Sequence, residues 1–297
     1  MAKTRQLKRR IVAANNTKRI TKTLQMIATS KFAKALQAAT ASKPYTEALF
    51  ELVGELQAAA GEVDHPLLKP GNPKGKALTL LITSDRGLAG PYNGSVLRAF
   101  AGLMKEDAAV RGGVIELVGK KGAAWLKFNK IDVTTQHTHI GDRPKYEHIQ
   151  AIADEYIRRY GAGEFSTVRI VFMKFMSVAK QMPVSVQLLP FDPNAFAMGK
   201  KKTEAVADKN MKVLYEFSPG APELLGELLP AALKAVLFQA FNEAIVSEHV
   251  ARMIAMKAAT DNAGKMGKAY SRKYNRARQA QITTELMEVI SGAAALA

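Results

Sequence analysis

"LKRRIVAANNTKRITKTLQMIATSKFAKALQAA" occupies residues 7–39. Apolar or small residues recur there at three- and four-residue steps: Leu7, Ile11, Ala14, then Ile20, Leu24, Ile27, then Phe32, Ala35, Ala38. That period belongs to a helix with one face turned inward. The pattern continues to about Gln57, with Gly54 as its only glycine, and predicts one long helix interrupted at most near Pro44.

The other end of the chain reads alike. From Pro222 to Ser291 the pattern returns through Leu233, Leu237, Phe241, Ala244, Ala251, Ala255 and Ala258, then Ile282, Leu286 and Val289. Pro230 falls in the first turns, where a missing N–H is tolerated. Helices of these lengths span roughly 80 and 100 Å, too long to be buried in a globule of 297 residues. A narrow seam of small residues needs a partner, and the cheapest is the other long helix, running antiparallel. An alanine seam allows close approach but buries little area, so the pair gains stability from surrounding subunits.

Between the helices, strand and helix signals alternate. "KALTLLIT" reads as a buried strand, followed by a glycine-containing turn and a helix capped by Asn93 or Ser95 and running to about Ala109. "GVIELVG" is a second strand, "KKGAAWLKF" a short helix, "DVTTQHTHI" a strand, and "KYEHIQAIADEYIRRYG" an amphipathic helix. "TVRIVFMKFMS" and "MPVSVQLLP" make a strand pair, and "MKVLYEF" a last strand; residues 194–210 carry no usable period and read as a loop. The fold class is α/β with long terminal helices: an antiparallel coiled coil plus a central, Rossmann-like, largely parallel open sheet. The segments are 1–57, 75–217 and 222–292.

Charge is uneven. The net charge is +17; residues 1–34 hold ten Lys and Arg with no acid, and residues 264–281 hold six with none. Such a field calls for nucleic acid, an anionic membrane surface or an acidic protein cavity. No apolar signal core follows the basic N-terminus and no window of about 18 uncharged apolar residues occurs, so neither a signal peptide nor a membrane span is expected. Cysteine is absent, which removes disulfides and thiol chemistry and fits a reducing cytoplasm.

The sequence is also poor in catalytic patterns. "SDRGLAGPYNGS" (84–95) follows a strand, but it lacks a third glycine in register and a following Lys-Ser/Thr, and Pro91 removes a donor. "GNPKGKA" (71–77) has its glycines one residue too close for a phosphate loop. His137 and His139 share a strand face without a third ligand, so no metal site is expected. Ser84 and Asp85 have no nearby histidine, and Asp154-Glu155 reads as a solvated helix surface. No catalytic residue, metal or cofactor is assigned.

Three stretches carry a resemblance. "SEHVARMIAMKAATDNAGKM" (247–266) with "YNRARQAQITTELMEVISGAAAL" (274–296), "RRIVAANNTKRITKTLQMIATSKFAKA" (9–35) and "TSDRGLAGPYN" (83–93) resemble, in order, the C-terminal helix, N-terminal helix and signature loop of the gamma subunit of F-type ATP synthase. The resemblance implies a central rotor shaft inside a ring of three alpha and three beta subunits, with the α/β domain beside the epsilon subunit and the membrane c-ring. It implies a non-catalytic subunit that couples ion flow to ATP synthesis or hydrolysis and regulates both. Its place would be peripheral, on the cytoplasmic face of the bacterial inner membrane, with no nucleic acid or small-molecule substrate. Arg278 and Gln279 match the pair that meets a catch loop of a beta subunit. Asp85, Arg86 and Gly87 lie in the signature loop near the catalytic subunits, and Tyr215 and Glu216 are implied contacts of the rotor ring. The chain departs from the family pattern at Pro91, where glycine is usual, and at Leu24, where methionine is common.

Two other classes compete. A helical nucleic-acid-binding protein fits the charge, but the basic runs are not interleaved with stacking aromatics. A dinucleotide-dependent enzyme fits the central sheet, but the glycine fingerprint is missing.

Overall fold

The structure is a computed structural model and describes residues 2–60, 65–138, 140–192 and 220–296. The predicted strand 211–217 and loop 194–210 lie outside the described residues. The chain divides into two units, Met1–Ser30 with Ala251–Ala297, and Lys31–Val250. Each contains part of both long helices, α1 (Ala2–Ala60) and the last helix, α6 (Ala221–Leu296).

In the first unit α1 and α6 run antiparallel. Thr4 bonds Gln281 at 3.2 Å, the Arg10 guanidinium lies 5.8 Å over the Tyr270 ring, and the Thr260 and Thr21 hydroxyls meet at 2.8 Å. The seam on α1 passes through Leu7, Ile11, Ala14, Thr21 and Ala28; on α6 it passes through Met256, Thr260, Ala263, Gly267 and Tyr274. These positions keep a seven-residue repeat, the period of a coiled coil.

Two expectations are corrected by that repeat. Ile20 and Ile27 are 59% and 48% exposed, because the heptad gives Thr21 and Ala28 the inward places beside them. Ile282, Leu286 and Val289 are also exposed, at 51%, 57% and 70%. The repeat that carries Gln281, opposite Thr4, inward gives none of the three an inward place.

The second unit is built on a five-stranded sheet of order β3-β2-β1-β4-β5. β1 (Lys76–Ile82), β2 (Val114–Val118), β3 (Thr135–His137) and β4 (Phe165–Phe175) are parallel; β5 (Gln181–Leu189) returns antiparallel to β4. The connecting helices are α2 (Tyr92–Glu106), α3 (Ala108–Arg111), α4 (Lys120–Phe128) and α5 (Tyr146–Gly161). β1 is buried on both faces, as expected of the middle of a parallel sheet. Leu78, Leu80 and Ile82 point to a core shared with Leu49 and Val53 of α1, Tyr156 of α5, and Leu233 and Phe241 of α6. The alternate residues face α2 and α4, where Phe100 meets Trp125 edge-on at 6.5 Å.

Local details depart from the sequence reading. α1 continues through Pro44 without a break. α2 is capped by neither Asn93 nor Ser95: its N-cap is Pro91, with no side-chain cap bond. It stops at Glu106 because Asp107 is extended and caps α3, accepting the Ala109 N–H at 2.9 Å. An 18-residue stretch of α6 is apolar enough to cross a membrane by length and composition, and half of it is buried in the protein. Core residues from Leu225 to Val250 account for that apolarity.

Candidate functional site

The loop after β1 is held by its own polar atoms. The Asn93 side chain, freed from capping, turns back to Ser84: its Oδ1 accepts the Ser84 N–H at 3.0 Å and its Nδ2 donates to Ser84 Oγ at 2.7 Å. Ser84 Oγ donates in turn to the Arg86 carbonyl at 2.7 Å. Leu88 and Gly90 take positive φ, 64° and 55°, and Pro91 at φ −81° starts α2 within the range its ring imposes. Proline at 91 costs the helix nothing here, since its first N–H needs no helical partner.

Asp85 and Arg86 are exposed and Gly87 is half-buried. Asp85 Oδ1 accepts the Lys120 N–H at 3.1 Å, so a carboxylate of the loop sits at the N-terminus of α4. Gly119, the N-cap of α4, has no side chain to do this, and the helix dipole favours the negative charge. The loop supplies its own anion where a phosphate-binding turn would leave donors open. Thr83 completes the junction: its hydroxyl donates to the Val118 carbonyl at 2.8 Å and accepts the Gly122 N–H at 3.0 Å. The crevice beside it, lined among others by Thr83, Asp85, Ile140, Phe241 and Glu248, has a volume of about 30 Å³, room for about one water.

Two charged clusters were not legible in the sequence. The Lys31 ammonium of α1 pairs with Asp142 beyond β3. Burial raises the Asp142 carboxyl, but the Lys31 bond and the charges of Lys31, His249 and Arg86 outweigh it and hold the group below its ordinary value. Inside the sheet, Glu116 on β2 is 3% exposed. Its carboxylate accepts the Tyr156 O–H at 2.7 Å, meets His137 Nε2 at 2.8 Å and lies 3.6 Å from the Arg159 guanidinium. His137 is thus engaged with a carboxylate, and His139 lies outside the described residues. Among the described residues no group of three or more His, Cys, Asp or Glu is placed to hold a metal. Asp154 and Glu155 are ion-paired, with Lys234 at 2.7 Å and Arg158 at 2.7 Å.

Arg278 and Gln279 lie on α6 just off the seam, next to the inward-facing Ala277 and Gln281, and both are exposed. No bond of the Arg278 guanidinium holds it to another described residue, so its donors face outward. Tyr215 and Glu216 lie outside the described residues.

Comparison with known proteins decides what such a chain is. The family described as ATP synthase matches residues 3–296. The ATP synthase gamma chain of Rhodopirellula baltica is 38% identical over 298 residues, covering 100% of this chain and 99% of its own. That of Pelotomaculum thermopropionicum is 37% identical, covering 100% of both. The chain belongs to the ATP synthase gamma-chain family. Among solved structures, one of Euglena gracilis mitochondrial ATP synthase (OSCP/F1/c-ring, rotational state 3) contains a chain that superposes with a TM-score of 0.67, at 18% identity, covering 99% of this chain and 95% of that one. At that identity the likeness is one of fold, and it matches the long terminal helices and mixed five-stranded sheet of this gamma-family chain.

Proposed function

We propose that this gamma-family chain is the central rotor shaft of an F-type ATP synthase. It couples ion flow through the membrane c-ring to ATP synthesis or hydrolysis in a ring of three alpha and three beta subunits. It regulates both activities and does no chemistry itself. Its place is peripheral, at the cytoplasmic face of the bacterial inner membrane, with the epsilon subunit as a further partner. Asp85, Arg86 and Gly87 lie near the catalytic subunits, and Tyr215 with Glu216 meets the c-ring. The Euglena neighbours, described as OSCP/F1/c-ring and rotor, support that setting.

The observation that carries the reading is the outward pair Arg278 and Gln279 beside a seam that already satisfies itself. A guanidinium presents five donors in a fixed fork and grips a carboxylate bidentately, and Gln279 adds a donor and an acceptor beside it. An off-axis grip lets one shaft distinguish three identical catalytic subunits, because only differential contact shifts their states. Arg278→Ala with Gln279→Ala is expected to lower multisite ATP hydrolysis and synthesis about tenfold, roughly one or two lost charge-assisted bonds. Assembly and nucleotide binding stay intact. Wild-type turnover in the double variant places the grip elsewhere on the shaft.

A further inference from the structure

Among the described residues β3 is a three-residue edge strand, paired with β2 alone. So short a strand constrains little of the chain that follows it. That chain is nonetheless pinned: Ile140 is buried, and Gly141 takes φ +59°, a turn conformation suited to glycine. The next residue is Asp142, whose carboxylate pairs with Lys31 of α1, each side chain 36% exposed. Asp85 of the 84–90 loop and Glu248 of α6 line the same crevice as Asp142, and the Arg86 guanidinium and the His249 ring both favour its charged form. All of these groups lie within Lys31–Val250. Four pieces of chain, remote in sequence, converge on one acid. A half-buried carboxylate under several cations is screened less than a surface ion pair, and its loss is felt at each attached element.

We propose that Asp142 is a positioning residue that ties α1, α6 and the 84–90 loop to the β3 edge of the sheet, so that these elements carry load as one body. The load-bearing half of this statement rests on the rotor reading; the tie itself does not. The first test is amide exchange on the full-length chain, comparing wild type, Asp142→Asn and Asp142→Glu. Asp142→Asn is expected to speed exchange about fivefold in residues 84–90 and 138–145, with β1 and β4 unchanged. Asp142→Glu, which keeps the charge, stays near wild type. Unchanged exchange in 84–90, or a rise spread evenly over β1 and β4, overturns the tie. The second test uses membrane vesicles carrying the whole complex. Asp142→Asn is expected to lower ions pumped per ATP about fivefold while ATP hydrolysis continues. Asp142→Glu, which keeps the charge under Lys31 and Arg86, is expected to pump near the wild-type ratio. Wild-type pumping in Asp142→Asn, or a loss in Asp142→Glu as deep as in Asp142→Asn, overturns the load-bearing half. Failure of the wild-type chain to join alpha and beta subunits would instead sink the rotor reading and leave the exchange result standing.

Discussion

Glu116 shows how much one side chain can commit a fold. A carboxyl group in a sheet interior survives only if its desolvation is offset, and Tyr156, His137 and Arg159 supply the offset from three elements. Tyr156→Phe is expected to cost about 1–2 kcal/mol and Glu116→Ala about 3–5 kcal/mol, measured by urea unfolding. The pair also leaves a mark at high pH. Burial, then the Glu116 charge and hydrogen bond, push the Tyr156 hydroxyl well above its ordinary value. Above about pH 10 the unfolded chain releases a proton that the folded chain keeps, so stability falls as pH rises. Tyr156→Phe should make that alkaline fall shallower, without abolishing it, because Tyr146 and Tyr160 are also raised. Urea midpoints across the alkaline range read the difference. None of this was legible in "GVIELVG", where the strand period says which side Glu116 takes but not what waits there.

Among the described elements, the sequence located the long helices, strands β1 to β5 and the β4–β5 pair, because each rests on a local period or on turn residues. It misjudged the coiled-coil seam. Isoleucines at 20 and 27 outrank threonine and alanine in hydrophobicity, yet the heptad register, set by two helices jointly, places Thr21 and Ala28 inside. Ile20→Gln with Ile27→Gln should therefore move the stability of the free chain by less than about 1 kcal/mol in thermal unfolding. Glycine positions divide in the same way by contact. At Gly119, with φ +90°, a Cβ would meet the Thr83 carbonyl oxygen at 2.2 Å. Gly119→Ala is expected to cost more than about 3 kcal/mol, strain and clash together. At Gly267 a Cβ would meet Asn15 Oδ1 at 3.3 Å and the Ala14 methyl at 3.9 Å. There alanine is expected to be neutral or to stabilise by up to about 1 kcal/mol, provided the Asn15 side chain yields.

At the scale of the whole molecule, what the chain leaves uncovered is as informative as what it buries. Beyond Gln281, α6 carries Ile282, Leu286, Met287, Val289 and Ile290, all at least half exposed. Monomers rarely expose so many large apolar residues together, and the surrounding subunits of the proposed rotor reading would supply a cover. A chain ending at Gln281 should self-associate less than the full chain in sedimentation, with its unfolding midpoint essentially unchanged, because residues 282–294 are all exposed. A large drop in that midpoint would show that the segment helps to hold the free chain together. The candidate contacts at Arg278 and Gln279 became legible only through the family resemblance: exposure alone does not tell a grip from a solvated charge.

The Thr21–Thr260 contact has a mechanical consequence. Where the seam is alanine and glycine, at Ala14, Ala28, Ala263 and Gly267, it looks nearly the same to its partner after a slide of one heptad, about 10.5 Å. The threonines break that degeneracy. Thr21 donates its one proton to the Thr17 carbonyl at 2.9 Å, and the single Thr260 proton is shared between Thr21 Oγ1 and the Met256 carbonyl, each at 2.8 Å. On displacement Thr260 falls back on its own helix, and only the mutual bond, at most about 1 kcal/mol, is forfeited. The Thr4–Gln281 bond and the Arg10–Tyr270 stack add further rungs of the same kind. The two helices are keyed like a splined axle: they bend and turn together, while lengthwise creep is penalised at every rung.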